Sequence, residues 1–409
     1  MINIKKIRND FPMLKTFLHG KKIIYFDNAS TTFKPNSVIN AINRYYLKEN
    51  SNSKRGDYDL CYKVDQTIEK TRNLIANFIH AKSSKEIVFT SGTTMSINLI
   101  AFCFAVNFLK KGDEILLNEA EHASNVLPWY KVASITGAKI KFIPLDEGKL
   151  TLKNIKKVTT KKTKIIAFAD VSNVLGYLSP TKEITCFAHS KKIVVICDAA
   201  QSIAHHNINV CDLNVDFLCF SAHKMYGPTG IGVLYGKYKF LEKMEPFILG
   251  GGMNDIFNIK GSVSYLKPPE KFEAGTLNIA GIYGFKAAIE YLNKIGMDNI
   301  ENYEKEICNY AFKKLSKNKN IIIYNRNKNI NSNIIVFNKK NVFAQDESTY
   351  LNSCGIAVRS GQHCAKLLVN TLKTIATIRI SFSFYNTKKE IDKLVKFLNN
   401  GDFLDAYFD

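Results

Sequence analysis

Residues 215–236 read VDFLCFSAHKMYGPTGIGVLYG, and the fold turns on what the glycine-rich turn in their middle is for. VDFLCFSA, before the turn, is a short apolar run of the kind shown by a strand buried on both faces. GIGVLYG, after it, is apolar again and reads as a strand returning antiparallel. A dinucleotide fingerprint opens a helix, whereas GPTGIG opens a strand, and no G-x-x-x-x-G-K-[ST] occurs anywhere in the chain. What remains is a polar cluster, Ser221, His223 and Lys224, at the end of a buried strand. Ligands of open parallel sheets bind at that end.

The pattern repeats outward from this stretch. EIVFT (86–90), DEILLNE (113–119), KIKFIPL (139–145), KIIAFADV (164–171) and KIVVICDAA (192–200) are further apolar runs rich in β-branched residues. Helical stretches such as IEKTRNLIANFIH and EITCFAHSKK lie between them. Strands alternating with helices predict an α/β fold with a mostly parallel central sheet covered by helices on both faces. After GGG (250–252) the texture changes. A long helical pattern, IAGIYGFKAAIEYLNKI, leads into YEKEICNYAFKKLSK, then the strand-like NIIIYN, NIIVFN and TIRISF and a last helix, a smaller α+β domain. The expected division is 21–284 for the large domain, with 1–20 and 285–409 in the small one.

Composition narrows the class. Hydrophobic residues make up 46% of the 409, ordinary for a globular protein, and apolar runs are too short and charged for a membrane span. The opening MINIKKIRNDFPMLKTFLHG has no apolar signal core. The nine cysteines are scattered without a Cys-x-x-Cys, which argues against a zinc cluster or a disulfide framework and for a reducing compartment. The expected location is cytoplasmic, or an organelle stroma if residue 1 is the trimmed end of a precursor. The net charge of +21 raises nucleic acid as a partner. Most of the excess is lysine on solvated helix faces, such as NIKKVTTKKTK and NTKKEIDKLVKF, without a nucleic-acid-binding signature. Only seven of the 57 basic residues are arginine, so an arginine beside Cys364 hints at a need for a planar, bidentate fork.

Each strand end carries polar residues. SGTT (91–94) places Thr93 at a helix start; its ordinary reading is a turn and cap, its functional one an anion site. NEAEHASN contributes His122, ADVSNVLG contributes Asn173, and CDAAQS contributes Asp198 and Gln201. A buried carboxylate is costly unless paired. An aspartate and a lysine on neighbouring strand ends, with a phosphate cradle beside them, fit pyridoxal 5'-phosphate. Lysine would form the Schiff base, and the carboxylate would keep the ring nitrogen protonated.

The segments DNASTTFKP, FTSGTTMSINLIA, EHASNVLPW, VSNVLG, DAAQS, SAHKMYGPTGIGVLYG, FEAGTLNIAG, GIAVRSGQHCA and YNTKKEID resemble, in order, the class V aminotransferase fold family of PLP-dependent fold type I. The chain is most similar to its group II, SufS-type cysteine desulfurases. The resemblance implies roles for these positions. Lys224 would carry the cofactor, Asp198 would pair the pyridine nitrogen, Gln201 the phenolic oxygen, and His122 would stack on the ring. Thr93, Ser221 and His223 would hold the phosphate, and Thr276 would reach the phosphate of the neighbouring subunit in a homodimer. Asn173 and Arg379 would take the substrate α-carboxylate, with Arg359 beside the cysteine loop. Three positions depart from the family: Lys54 and Ser91 stand where histidine and arginine are usual, and Asp170 replaces a histidine.

Cys364, in GIAVRSGQHCAKLL, had three readings from its residues alone: structural thiol, metal ligand or nucleophile. The resemblance selects the nucleophile, with Arg359 and His363 favouring the thiolate. No metal is expected. The implied reaction converts L-cysteine to L-alanine, leaving a persulfide on Cys364 for a SufE- or SufU-like acceptor in iron–sulfur cluster assembly. The alternatives are a selenocysteine lyase or transaminase of the same fold and, further off, a basic nucleic-acid-binding protein.

Overall fold

The computed structural model describes residues 3–54, 56–325 and 333–400. Its centre is a seven-stranded sheet of β1 (Ile87–Thr90), β2 (Glu114–Asn118), β3 (Lys139–Ile143), β4 (Thr163–Ala169), β5 (Val194–Asp198), β6 (Phe217–Ser221) and β7 (Gly232–Gly236). The spatial order is β1-β7-β6-β5-β4-β2-β3. β7 alone runs antiparallel to its neighbours, and the other pairings are parallel. The six expected parallel strands and the returning seventh are all present.

Side-chain alternation divides the strands between two cores. Val88, Ile115, Ile165, Ile196, Phe217 and Leu234 enter one; Ile87, Leu116, Ile166, Val195, Leu218 and Val233 enter the other. A sheet buried on both faces needs apolar residues at consecutive positions, which is why its strands read as unbroken apolar runs. Helix α1 (Asp59–Phe78) packs Val64, Ile68 and Ile75 onto the second core, while α2 (Thr93–Leu99), continued by a π-helical turn at Ile100–Ala105, covers the first.

The small domain is a four-stranded antiparallel sheet, in the order β8 (Ile321–Ile323), β9 (Ile334–Lys339), β11 (Thr377–Ser381), β10 (Arg359–Gly361). The expected boundary at 284/285 falls within a helix. Residue 285 lies inside the unbroken helix Ile279–Ile295, whose Phe285, Ile289 and Leu292 are buried in the large core. The cores change along the next helix, Met297–Leu315, where Met297 and Ile300 serve the large core and Ile307 and Cys308 the small one. At the other end, Ile7, Phe11 and Leu14 belong to the large core, and Ile24 and Phe26 to the small one. An amphipathic pattern reports burial but not which core does the burying. NIKKVTTKKTK is likewise only partly a helix face. The helix Leu152–Val158 ends within it, and Thr163 and Lys164 already belong to β4. Among the described residues no helix is long and apolar enough to cross a membrane.

Candidate active site

The strand ends and the small-domain sheet enclose a cavity of about 200 Å³. Thr93, His122, Asn173, Asp198, Gln201, Ser221, His223 and Lys224 line it from the large domain, and Arg359, Cys364 and Arg379 from the small one. Of the predicted site residues only Thr276 is elsewhere. It faces a second cavity, also about 200 Å³, with Asn52, Lys54 and Gly251.

β6, β7 and the start of α2 meet with almost no space between backbones. A Cβ on Gly232 would fall 2.5 Å from Gly92 Cα, and one on Gly92, whose φ is +151°, would fall 3.1 Å from Ser221 Oγ. Glycine at both positions lets Thr93 donate its N–H to Ser221 Oγ at 2.7 Å, with the two hydroxyls 2.8 Å apart. Hydroxyls and backbone N–H groups at a helix start make a phosphate cradle. His223 adjoins it. Burial, then the charges of Lys224 and Lys34, hold its pKa down to about 4, so it is neutral at physiological pH.

Lys224 and Asp198 share the cavity floor. Burial lowers the lysine's pKa, and Asp198 opposes that shift. Burial raises the pKa of Asp198, with Lys224 acting against it. One Asp198 oxygen accepts the Ala200 N–H at 2.9 Å. A buried acid and a half-buried amine lining one cavity suit a group that presents a ring N–H⁺ to one and an aldehyde carbon to the other. The donor set therefore fits pyridoxal phosphate. Gln201 donates to the Ala29 carbonyl at 2.8 Å. His122 accepts the Ser124 N–H on Nδ1 at 3.1 Å, leaving the proton on Nε2. Burial, then Lys224, Arg359 and Arg379, keep its pKa near 4.

The cysteine loop is pinned by backbone. Its His363 and Cys364 adopt successive left-handed conformations, φ +51° and +59°, a sparsely populated geometry for residues with side chains. Asn173 Nδ2 donates to the His363 carbonyl at 2.8 Å, and the Ala123 N–H to the Cys364 carbonyl at 2.8 Å. The Cys364 thiol is exposed, with Arg359 Nη2 at 3.6 Å. The expectation that His363 would also favour the thiolate is corrected. The left-handed turn directs its ring inward, Nε2 meets Thr377 Oγ1 at 2.8 Å, and burial with Arg379 and Arg359 holds the pKa near 3. A neutral, inward ring brings no charge to the thiol.

Arg379 is buried. It donates through Nη1 to the Asn173 carbonyl at 2.9 Å and through Nη2 to Asp27 Oδ1 at 2.9 Å and Ser30 Oγ at 2.8 Å. Among the described residues its Nε–H has no hydrogen-bond partner. Sequence reasoning assigned no role to Asp27 or Ser30; DNASTTFKP carried the only signal, with four hydroxyl or carboxylate side chains in one short stretch. Of the family departures, Asp170 takes the Thr181 hydroxyl at 2.6 Å and does not line the cavity. Lys54 lies 3.5 Å from Glu270, Ser91 is exposed, and Arg55 lies outside the described residues.

Residues 24–394 match the protein family described as Aminotransferase class-V. The chain belongs to that family. It is 44% identical to a probable cysteine desulfurase of Halalkalibacterium halodurans over 396 residues, 97% of each chain. Among solved structures this class V member superposes on the cysteine desulfurase CsdA of Escherichia coli, in its S-sulfonic acid form, with a TM-score of 0.91 and 35% identity over 99% of both chains. The apo cysteine desulfurase of Thermococcus onnurineus gives 0.90 and 36% identity over 97% of both.

Proposed function

We propose that this chain is a pyridoxal phosphate-dependent cysteine desulfurase. L-Cysteine and the Cys364 thiol give L-alanine and a Cys364 persulfide, so that the transferred sulfur, and no other heavy atom, stays on the enzyme. The observation that carries the reading is one cavity lined by the half-buried Lys224, the buried Asp198 and an exposed thiol. A transaminase has no use for that thiol. The bound cofactor supplies an electron sink at the substrate Cα.

The chain's residues do the rest. Lys224 carries the cofactor and moves the Cα proton. Asp198 would hold the ring nitrogen protonated, and Gln201 would pair the phenolic oxygen. His122, neutral and fixed by Ser124, would stack on the ring with its Nε2 proton available. Thr93, Ser221 and His223 would hold the phosphate. Arg379 receives the substrate carboxylate, and Asn173 stands between that clamp and the cysteine loop, touching both. Arg359, with Nη2 3.6 Å from Cys364 Sγ, flanks the sulfur that attacks the substrate sulfur.

A homodimer is supported by the second cavity, in which Thr276 lies 3.4 Å from Asn52, and by exposed apolar side chains including Leu47, Tyr62, Leu249 and Phe257. Thr276 would there complete the partner's phosphate site. The exposed Cys364 suits delivery to a SufE- or SufU-like acceptor in iron–sulfur assembly, and the free thiols suit a reducing compartment, cytoplasm or organelle stroma. The test is stoichiometric release of alanine and sulfide from L-cysteine under reductant, with and without acceptor proteins. Lys224→Ala should lose both products and the visible band of the bound cofactor. Selenocysteine turned over in preference to cysteine would favour the lyase reading.

A further inference from the structure

Arg359 on β10 and Arg379 on β11 are direct cross-strand partners. Like charges directly opposite one another in an antiparallel pair repel and destabilise it. Here the pair is also drawn toward one cavity. The turn at residues 27–30 answers the conflict. It is fixed to the end of β11: the Ser381 N–H donates to the Phe26 carbonyl at 2.7 Å, the Ala29 N–H to Ser381 Oγ at 2.8 Å, and Asn28 Nδ2 to the Ser381 carbonyl at 2.7 Å. That attachment places Asp27 and Ser30 between the two guanidinium groups.

Ser30 Oγ accepts Arg359 Nη1 at 2.7 Å and Arg379 Nη2 at 2.8 Å, and donates its own proton to Asp27 Oδ1 at 2.7 Å. A hydroxyl has one proton and two lone pairs, so every bond it can make is used. Asp27 Oδ1 also takes Arg379 Nη2 directly, at 2.9 Å. One carboxylate thus balances two cations, one directly and one through the hydroxyl.

We propose that Asp27 and Ser30 are positioning residues that hold Arg379 and Arg359 as one unit, fixing the carboxylate clamp relative to the guanidinium beside the Cys364 thiol. Asp27 orients the clamp: three of the five guanidinium hydrogens of Arg379 are bonded to protein, and the Nε–H and one Nη1–H remain for an incoming carboxylate. Ser30 anchors the opposite end of the Arg359 fork, so that Nη2 stays 3.6 Å from Cys364 Sγ. The pair thereby couples where substrate binds to where its sulfur is taken. The proposal rests on Arg379 receiving the substrate carboxylate.

The experiment uses holoenzyme and two probes. L-Alanine, a carboxylate ligand without a thiol, is titrated through the cofactor's visible band and reads the clamp. Iodoacetamide, followed by peptide mass spectrometry at Cys364, reads the thiol; the exposed Cys186 and Cys211 serve as internal references. Asp27→Asn is expected to weaken L-alanine about tenfold, a change of about 1.4 kcal/mol. Ser30→Ala is expected to slow alkylation of Cys364 about threefold, the scale of one net hydrogen bond, without slowing it at Cys186 or Cys211, and Ser30→Thr to restore it. In turnover Ser30→Ala lowers kcat more than it raises KM. Normal alanine affinity in Asp27→Asn together with normal Cys364 alkylation in Ser30→Ala overturns the proposal. Arg379→Ala separates the two layers. If it leaves alanine binding intact, the carboxylate assignment fails and the proposal with it; if it abolishes binding while the other two variants stay normal, only the positioning role falls. Should Asp27→Asn fail to fold, the Ser30 variants, which change a single small group, carry the test.

Discussion

Replacing Glu273 with glutamine should destabilise the protein far more than a change of one charge on the surface would. Glu273 and Arg72 form a bidentate pair, 2.7 and 2.9 Å, with both side chains almost fully buried. Arg72 also donates to the Ile87 carbonyl at 2.8 Å and lies over the Phe89 ring, 4.6 Å from its centroid. Glu273 accepts the Phe89 N–H at 2.8 Å. The pair therefore joins α1, edge strand β1 and the FEAGT segment that presents Thr276. Breaking a buried pair by neutralising one partner costs about 3–5 kcal/mol. The lower end applies here. The amide oxygen of glutamine still takes the Phe89 N–H, and Glu69 remains 3.4 Å from Arg72 Nε as a partial counter-charge. About 3 kcal/mol corresponds to a fall in Tm of roughly 6 °C for a domain of this size class. Thermal unfolding of the holoenzyme by circular dichroism measures it, with Glu69→Gln, a more exposed partner, as the comparison. A Tm within about 1 °C of the parent would show that water or a rearranged side chain neutralises Arg72, and the reasoning would fail.

Two further outcomes follow from the site. His122, His223 and His363 have folded pKa values near 4, 4 and 3, against about 6.5 unfolded. The unfolded chain takes up protons that the folded chain refuses, so stability of the cofactor-free protein falls as pH drops from about 6.5 toward 4, by up to about 1.4 kcal/mol per pH unit for each histidine. Glu301, held to about 2 by its hydrogen bond to His206 and by Lys305, titrates below this window, whereas Glu121, pushed up to about 8 by burial, keeps in the folded chain a proton that the unfolded chain sheds above about 4.3 and so offsets the share of about one histidine. His363→Asn, which tolerates the left-handed backbone, should remove one proton from that slope; an unchanged slope in Tm against pH would contradict the assignment. Gly232→Ala should cost about 1–3 kcal/mol through its clash with Gly92 and displace the Thr93–Ser221 cradle, lowering the cofactor retained after dialysis; full retention with an unchanged Tm would show that the backbones can part.

The large domain was legible because a sheet buried on both faces writes itself as unbroken apolar runs and puts its chemistry where each run ends. Asp198 and Lys224 stand out for that reason, and the glycine turn before Gly232 excluded a nucleotide-binding helix. Residues delivered by other geometry were not legible. Asp27 and Ser30 reach the site through a single bridge to Ser381 and backbone bonds to β11, a placement that no periodicity encodes. The inward turn of His363 depends on a left-handed backbone at two residues that are not glycine, which no residue type there announces. The domain boundary was blurred because the helix Met297–Leu315 is amphipathic toward two cores in succession.

The central claim is that Cys364 takes the sulfur while Lys224, Asp198 and His122 serve steps that do not need the thiol. A single-turnover experiment on Cys364→Ser holoenzyme with L-cysteine tests it directly, following the cofactor's visible spectrum, alanine and protein-bound persulfide together. A serine hydroxyl is neither ionised nor soft enough to attack sulfur. The account predicts a spectral change as cysteine binds, with no alanine and no persulfide formed. Alanine appearing at the parental rate would contradict it and would make the chain a lyase or transaminase of the same fold.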